Sequence, residues 1–220
     1  SQGTNNGLVP YDAMLVGPGW GLSEARRTQL GLVLGAKAPV VLDADALRCM
    51  DEMDKDIFER EFPLICTPHP GEYRALRGQD NEAGASDGFM TDLLKTAGRY
   101  AAYIVYKSHV TWIASPKGRT AIWDGMNPAL GTAGSGDVLS GLLAGILAMH
   151  EAAYKASYEK KPSNDIVFDA SCAAVVAHGV AGAKLAHRLG WFSASELIPE
   201  CGKLLGKADT DDIDVEKGNV

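Results

Sequence analysis

The 220-residue sequence predicts an α/β fold in which a mostly parallel β-sheet lies between two layers of helices. Short apolar runs recur along the chain, and stretches of helical character separate most of them. Residues that carry chemistry follow the ends of these runs. Because parallel sheets bind ligands beyond the carboxyl ends of their strands, the sequence also predicts a site at that edge.

The apolar runs predict the strands in chain order. The first enters a Gly-rich turn, and the last two flank Pro116-Lys117-Gly118 as a β-hairpin. The predicted strands are Ala13–Val16, Ala38–Leu42, Phe62–Cys66, Tyr103–Tyr106, Thr111–Ala114 and Thr120–Trp123.

Five helices are predicted between and after these strands. Ser23 is the expected N-cap of the first, which runs to about Leu34. The others span about Asp87 to Ala101, Asp137 to Tyr154, Asp169 to Leu189 and Ala194 to Leu205. The polar segment Glu159–Asp165 is expected to be a surface loop.

Composition excludes several classes of protein. A net charge of −7 and a pI near 5.2 disfavour nucleic-acid and anionic-membrane surfaces, which need basic patches. The four cysteines form no C-x-x-C pair, which favours a reducing cytoplasm over a zinc or disulfide framework. The longest apolar-rich run, Val138–Met149, contains a serine and two glycines and predicts a core helix, so no membrane span is expected.

The sequence GTAGSGD, residues 131–137, stands at the start of a predicted helix. Small residues let backbone N–H groups approach an anion, and the positive end of the helix adds to the attraction. The segment lacks the Lys-Ser/Thr of a Walker A loop, and Asp137 occupies the helix start, where a carboxylate can accept a proton from a hydroxyl. The alternative is that Asp137 only caps the helix of a flexible loop.

Three further motifs follow predicted strands. GPGWG, residues 17–21, departs from the dinucleotide fingerprint G-x-G-x-x-G. TPHPGE, residues 67–72, holds His69 between two prolines, whereas Lys107-Ser108-His109-Val110-Thr111 could contact nucleotide phosphates or ribose. A structural histidine and a solvated lysine are the alternatives. His178 and His187 lie on an Ala-rich helix and are interpreted as packing or surface groups.

The order of the motifs is more informative than any one of them. It runs GPGWG, VLDADAL (41–47), TPHPGE, the strand ending at Lys107, NPALGTAGSGDVLSGLLAGILA (127–148), AHGVAGAKLA (177–186) and SASELIPE (193–200). From about Ala13 to about Leu205 the chain resembles the NAD(P)H-hydrate dehydratases, a branch of the ribokinase-like superfamily.

This resemblance implies a ribokinase-like three-layer α/β/α sandwich. It implies that the chain converts the S-hydrate of NADH or NADPH back to the cofactor. ADP or ATP would phosphorylate the hydrate hydroxyl, and phosphate would then be eliminated. Mg²⁺ would be held chiefly through the nucleotide phosphates, and the protein would be a homo-oligomer.

The resemblance also assigns residues. Asp137 would contact the hydrate and act as the catalytic base, with Gly134, Ser135 and Gly136 facing the transferring phosphate. The segment Lys107, Ser108, His109, Val110 and Thr111 would bind the adenylate part of the nucleotide. Gly19, His69 and Asn127 would bind the hydrated substrate.

The chain departs from the family at Ala129, Ala133 and Ser108, where glycine is usual, so three added Cβ atoms lie near the expected ligands. One domain is expected over residues 1–220, with an acidic tail at 209–220 and without a Gly-containing N-terminal portion of the family domain. Two other functions remain open. One is a ribokinase-like kinase acting on a vitamin-precursor alcohol, and the other is a non-catalytic nucleotide-binding module or remnant.

Overall fold

Six short strands form one β-sheet in the order in which they occur along the chain. The computed structural model describes residues 11–50, 53, 55–78, 88–157 and 164–205. Neighbours from β1 to β4 are parallel, whereas β4–β5 and β5–β6 are antiparallel, which confirms the predicted hairpin. The strands are β1 (Met14–Val16), β2 (Val40–Leu42), β3 (Leu64–Cys66), β4 (Tyr103–Tyr106), β5 (Thr111–Ala114) and β6 (Thr120–Trp123).

Seven α-helices are described, and they cover both faces of the sheet. They are α1 (Glu24–Leu34), α2 (Asp45–Met50), α3 (Pro70–Arg77), α4 (Phe89–Arg99), α5 (Ser135–Ser157), α6 (Asn164–Leu189) and α7 (Ala194–Leu205). Helices α1 to α4 pack on one face, and α5 and α6 pack on the other. Helix α7 packs on α5 and α6.

The alternation of strand side chains produces these layers. In β2, the side chains of Val40 and Leu42 join the core beneath α1 and α2, whereas Val41 joins the core beneath α5 and α6. All three residues are fully buried. A strand covered on both faces therefore has no polar side, which is why its sequence is a continuous apolar run.

Helices α2 and α3 were not predicted from the sequence. No helix was predicted at the TPHPGE segment, but Pro70 is the first residue of α3 and His69 is its N-cap. Proline is well suited to that position because its fixed φ is helical and its missing N–H would have no partner there.

Other boundaries differ less. Ser23 precedes α1 with extended backbone, as predicted, but its side chain makes no capping hydrogen bond. Helix α6 begins at Asn164, so the described end of the predicted loop Glu159–Asp165 is helical. Residues 158–163 and the predicted acidic tail lie outside the described residues.

Helix α6 corrects the expectation that no stretch reaches membrane-span length. An 18-residue window within Ile166–Leu189 has a mean hydropathy of 1.6, so this segment is long and apolar enough to cross a membrane by length and composition. However, 61% of that window is buried within the protein, where α6 packs against α5, α7 and the sheet. It is a core helix, because core helices and membrane spans share these properties.

Candidate active site

A cavity of about 920 Å³ opens where β2, β3 and β4 end and α5 begins. This is the edge of the sheet at which the sequence predicted a site. The cavity brings together most of the predicted site residues, and each of those named next lines it. They are His69, Lys107, Ser108, His109, Thr111, Asn127, Ser135, Gly136 and Asp137.

Three predicted residues, Gly19, Val110 and Gly134, do not line this cavity. Gly19 is exposed, with φ of +65°, in the turn that follows β1. The amide of Gly21 anchors that turn to the sheet edge by donating to Asp45 Oδ2 at 2.8 Å. The binding and catalytic roles of all twelve residues remain predictions.

The N-terminus of α5 provides the anion-binding geometry. Gly134 has φ of +83°, and a Cβ there would lie 3.0 Å from that of Ala194, so glycine is needed on both grounds. The first N–H groups of the helix have no partner within the helix, and they point out of its positive end. Asp137 lies in the first turn with an exposed side chain, beside Gly136.

A buried ion pair lies at the base of the cavity. Lys107 Nζ donates to Asp43 Oδ1 at 2.6 Å, and the side chains are 18% and 2% exposed. The backbone N–H of Lys107 donates to Pro68 O at 2.8 Å, which joins the segments after β3 and β4. A Cβ on Gly136 would lie 3.1 Å from Lys107 Nζ, so the ammonium sits directly against the first turn of α5.

We expect Lys107→Met to destabilise the fold by about 3–5 kcal/mol, because it leaves the carboxylate of Asp43 buried and unpaired. Urea unfolding would measure the change. The matched control is Lys155→Met, which breaks the exposed 2.8 Å pair with Asp12 and should cost less than about 1 kcal/mol. Equal effects for the two variants would show that Asp43 is not a desolvated charge.

His69 faces the cavity as part of a capping box. Its Nδ1 accepts from the amides of Gly71 and Glu72, and the Glu72 carboxylate accepts from the His69 amide at 2.9 Å. Glu72 is 5% exposed. A proline at the first position and an acidic residue three after the cap are sequence signals for such a helix start, but histidine is not among the usual capping residues.

His178 also lines the cavity, although its place on an Ala-rich helix predicted a packing or surface group. It is 8% exposed and reaches from α6 to the start of α5. Its Nε2 lies 3.0 Å from Ser135 O and 3.1 Å from Ser135 Oγ. Burial lowers the pKa of His178, the bond to Ser135 opposes that shift, and the charge of Lys107 lowers the pKa further.

Stability should therefore depend on pH through His178. The unfolded histidine takes up a proton near its ordinary pKa of 6.5, whereas the folded one does so only at lower pH. The contribution is fully present above pH 6.5 and is lost as pH falls toward the folded pKa. Urea unfolding at pH 7.5 and pH 5.5 should show a smaller loss for His178→Gln than for the parent chain. An identical loss would exclude His178 as the source.

Trp123 and Asn127 line the cavity next to α6. A Cβ on Gly179 would lie 2.4 Å from Trp123 Nε1, so α6 needs glycine where the indole packs. Asn127 Oδ1 accepts from Ala129 N at 3.2 Å. The Nδ2 of Asn127 is buried and has no hydrogen-bond partner among the described residues. This orphaned donor is consistent with the predicted contact between Asn127 and a ligand.

The departures from the expected glycines are accommodated at two positions. Ser108 Oγ donates to Val110 O at 2.7 Å, which closes its loop on itself. Ala129 is 4% exposed and belongs to the core formed with α6 and α7. At these two positions the side-chain atoms that glycine would lack contact the protein itself, through a hydrogen bond at Ser108 and core packing at Ala129.

Sequence comparisons find NAD(P)H-hydrate repair enzymes that resemble this chain. The chain is 38% identical over 143 residues to the bifunctional NAD(P)H-hydrate repair enzyme of Salinibacter ruber, covering 62% of the chain and 25% of the relative. It is 34% identical over 149 residues to the ADP-dependent (S)-NAD(P)H-hydrate dehydratase of Bacillus subtilis, covering 64% and 49%. The chain thus spans between a quarter and a half of these two relatives.

Solved structures confirm the ribokinase-like fold. The ADP/ATP-dependent NAD(P)H-hydrate dehydratase of B. subtilis, co-crystallised with ATP/Mg²⁺ and soaked with CoA, superposes with a TM-score of 0.69 at 26% identity, covering 90% of this chain and 67% of that one. A ribokinase-like superfamily protein of Enterococcus faecalis gives 0.68 at 25%, covering 89% and 63%. Residues 1–201 match the carbohydrate-kinase-related family described as NAD(P)H-hydrate dehydratase, and the chain belongs to that family.

Proposed function

We propose that the chain dehydrates the S-hydrate of NADH or NADPH back to the cofactor, with ADP or ATP as phosphoryl donor. One observation carries this proposal beside family membership. The Asp137 carboxylate and the N-terminus of α5 face the same cavity as Lys107. A base, an anion hole and a cation are what phosphoryl transfer to a hydroxyl requires.

The first chemical step is phosphorylation of the hydrate. Asp137 accepts the hydroxyl proton, and the oxygen attacks the terminal phosphorus of the donor. The new P–O bond replaces the bond to the leaving nucleotide, which departs as AMP from ADP or as ADP from ATP. In the second step the ring C–O bond breaks, phosphate leaves with the electron pair, and loss of a proton from the adjacent carbon restores the double bond.

The protein's contribution is chiefly electrostatic. The amides around Gly136 and the ammonium of Lys107 would stabilise the charge that develops on the transferring group, since a Cβ on Gly136 would lie only 3.1 Å from Lys107 Nζ and both residues line the cavity. Among the described residues no group of three or more His, Cys, Asp or Glu could hold a metal ion, so Mg²⁺ would be held chiefly by the oxygens of the nucleotide phosphates, which are the ligands it prefers. His69 and Asn127 would line the hydrated nucleotide, and the loop from Lys107 to Thr111 would hold the adenylate.

The proposal includes a cytoplasmic location. None of the four cysteines is in a disulfide, and three of them are buried, which is the pattern expected in a reducing compartment. The homo-oligomeric state implied by the family resemblance remains a prediction.

The decisive assay incubates the protein with chemically prepared NADH hydrate and with ADP or ATP. Recovery of the reduced-nicotinamide absorbance, with one phosphate released per NADH formed, is the expected result. Consumption of nucleotide by a small alcohol, without recovery of NADH, would favour the kinase. Calorimetric binding of ADP without turnover would favour a non-catalytic module.

A further inference from the structure

The contact between His178 and Ser135 is more specific than packing requires. Both side chains are buried, at 8% and 3% exposure, and both line the cavity. One ring nitrogen, Nε2, approaches two oxygens of Ser135, the carbonyl at 3.0 Å and the hydroxyl at 3.1 Å. Ser135 is the first residue of α5, two positions before Asp137.

The carbonyl oxygen determines which atoms donate. A carbonyl can only accept, so a nitrogen 3.0 Å away must carry a hydrogen. In the neutral ring that hydrogen is on Nε2, and the same N–H is also directed at the Ser135 hydroxyl oxygen. The hydroxyl oxygen therefore presents a lone pair to His178, and its own hydrogen points elsewhere.

The other side of Ser135 is the cavity. Among the described residues, the Ser135 hydroxyl has no hydrogen-bond partner other than His178, which donates to it. The site proposed for the phosphoryl group lies next to it, at the amides of α5. The low pKa of His178, which burial and the charge of Lys107 produce, keeps the ring neutral and preserves this arrangement.

We propose that His178 is a positioning residue that turns the Ser135 O–H toward the phosphoryl group at the N-terminus of α5. Ser135 then supplies a side-chain donor in addition to the backbone amides. The effect on catalysis that this inference predicts rests on the proposed function. The effect on nucleotide binding does not rest on it, because a hydroxyl that donates to a phosphate oxygen stabilises bound nucleotide with or without turnover.

The test is a double-mutant cycle on the full chain. Ser135→Ala should lower kcat by about 10- to 100-fold, the order of magnitude for loss of a side-chain donor to developing charge, with KM for the hydrate unchanged. His178→Phe should give a similar loss. In the Ser135→Ala background, His178→Phe should cost less than a further threefold. His178→Gln, which can place an N–H near the same point, should restore part of the activity.

Two controls separate positioning from stability. Ser171→Ala removes a buried hydroxyl on α6 that lies outside the cavity and donates to Val167 O at 2.8 Å. It should leave kcat unchanged. Ser135→Thr keeps the hydroxyl and should therefore retain most of the activity that Ser135→Ala loses. If circular dichroism shows that His178→Phe is unfolded, the Ser135 variants and His178→Gln still test whether His178 positions the hydroxyl.

Wild-type activity on the hydrate first decides the proposed function. If it is absent, calorimetry with ATP and AMP replaces the kinetic cycle. Ser135→Ala should then weaken ATP binding about tenfold while leaving AMP, which has no transferable group, unaffected. The inference is overturned if Ser135→Ala matches the parent chain in the decisive measurement. It is also overturned if the fold-losses in kcat of Ser135→Ala and His178→Phe multiply in the double variant, because the two residues would then act independently.

Discussion

Replacing Asp137 with asparagine is expected to lower kcat for hydrate repair by about 10²- to 10⁴-fold, the range associated with a general base. Asparagine is nearly the same size but cannot accept the proton of the hydroxyl. The fold should remain, because Asp137 is exposed in the first turn of α5. Circular dichroism and calorimetry with ADP should give values close to those of the parent chain.

The matched control is Asp169→Asn, which removes one carboxylate from an exposed 3.0 Å ion pair with Arg119. It does not line the cavity, and its kcat should equal that of the parent chain. Turnover by Asp137→Asn at the level of this control would remove Asp137 from the chemistry. If Asp137→Asn instead loses both turnover and nucleotide binding, Asp137 contributes to binding the nucleotide rather than to proton transfer.

A change at Gly17 should have the largest effect on stability. Gly17 directly follows β1 with φ of +128°, and a Cβ there would lie 1.7 Å from the carbonyl oxygen of Asp43. No shift of a flexible side chain can relieve that clash, because the carbonyl oxygen belongs to the backbone and the position of a Cβ is fixed by its own backbone. We therefore expect Gly17→Ala to cost at least about 4 kcal/mol in urea unfolding, the range of severe single substitutions.

Gly19→Ala is the control, since its φ is also positive, at +65°, and no atom lies within 4 Å of the added Cβ. It should cost only about 1–2 kcal/mol, the usual penalty for a left-handed residue. Similar losses in the two variants would exclude the backbone clash as the cause. The same variant also tests the predicted substrate role of Gly19, because it would add a methyl group beside the hydrate without unfolding the protein.

Gly17 matters to the site as well as to the fold. It allows the end of β1 to approach Asp43, whose amide donates to Val16 O at 3.0 Å. Asp43 in turn holds Lys107 against the first turn of α5. Even a folded Gly17→Ala protein should therefore show weaker ADP binding, because the ammonium would be displaced from the anion hole.

Local chemistry was sufficient for much of the architecture. The strand Val40–Leu42 was predictable because a strand buried on both faces has no polar side. The start of α5 was predictable because small residues followed by an acidic residue and a long apolar run mark a helix N-terminus. The neighbours of Asp137 allowed either a proton acceptor or a helix cap, and the family resemblance assigned it the role of base.

The sequence by itself determined the strands, the glycine-lined helix start and the carboxylate beside it, because each depends on residues within one or two turns. Only the tertiary structure decided that Lys107 pairs with Asp43, 64 residues away, and that His178 reaches Ser135, 43 residues away. Nothing in the apolar surroundings of His178 distinguishes a packing histidine from one that orients a hydroxyl. Its role depends on the crossing of α6 over the start of α5, and that crossing is set by the core of the whole domain.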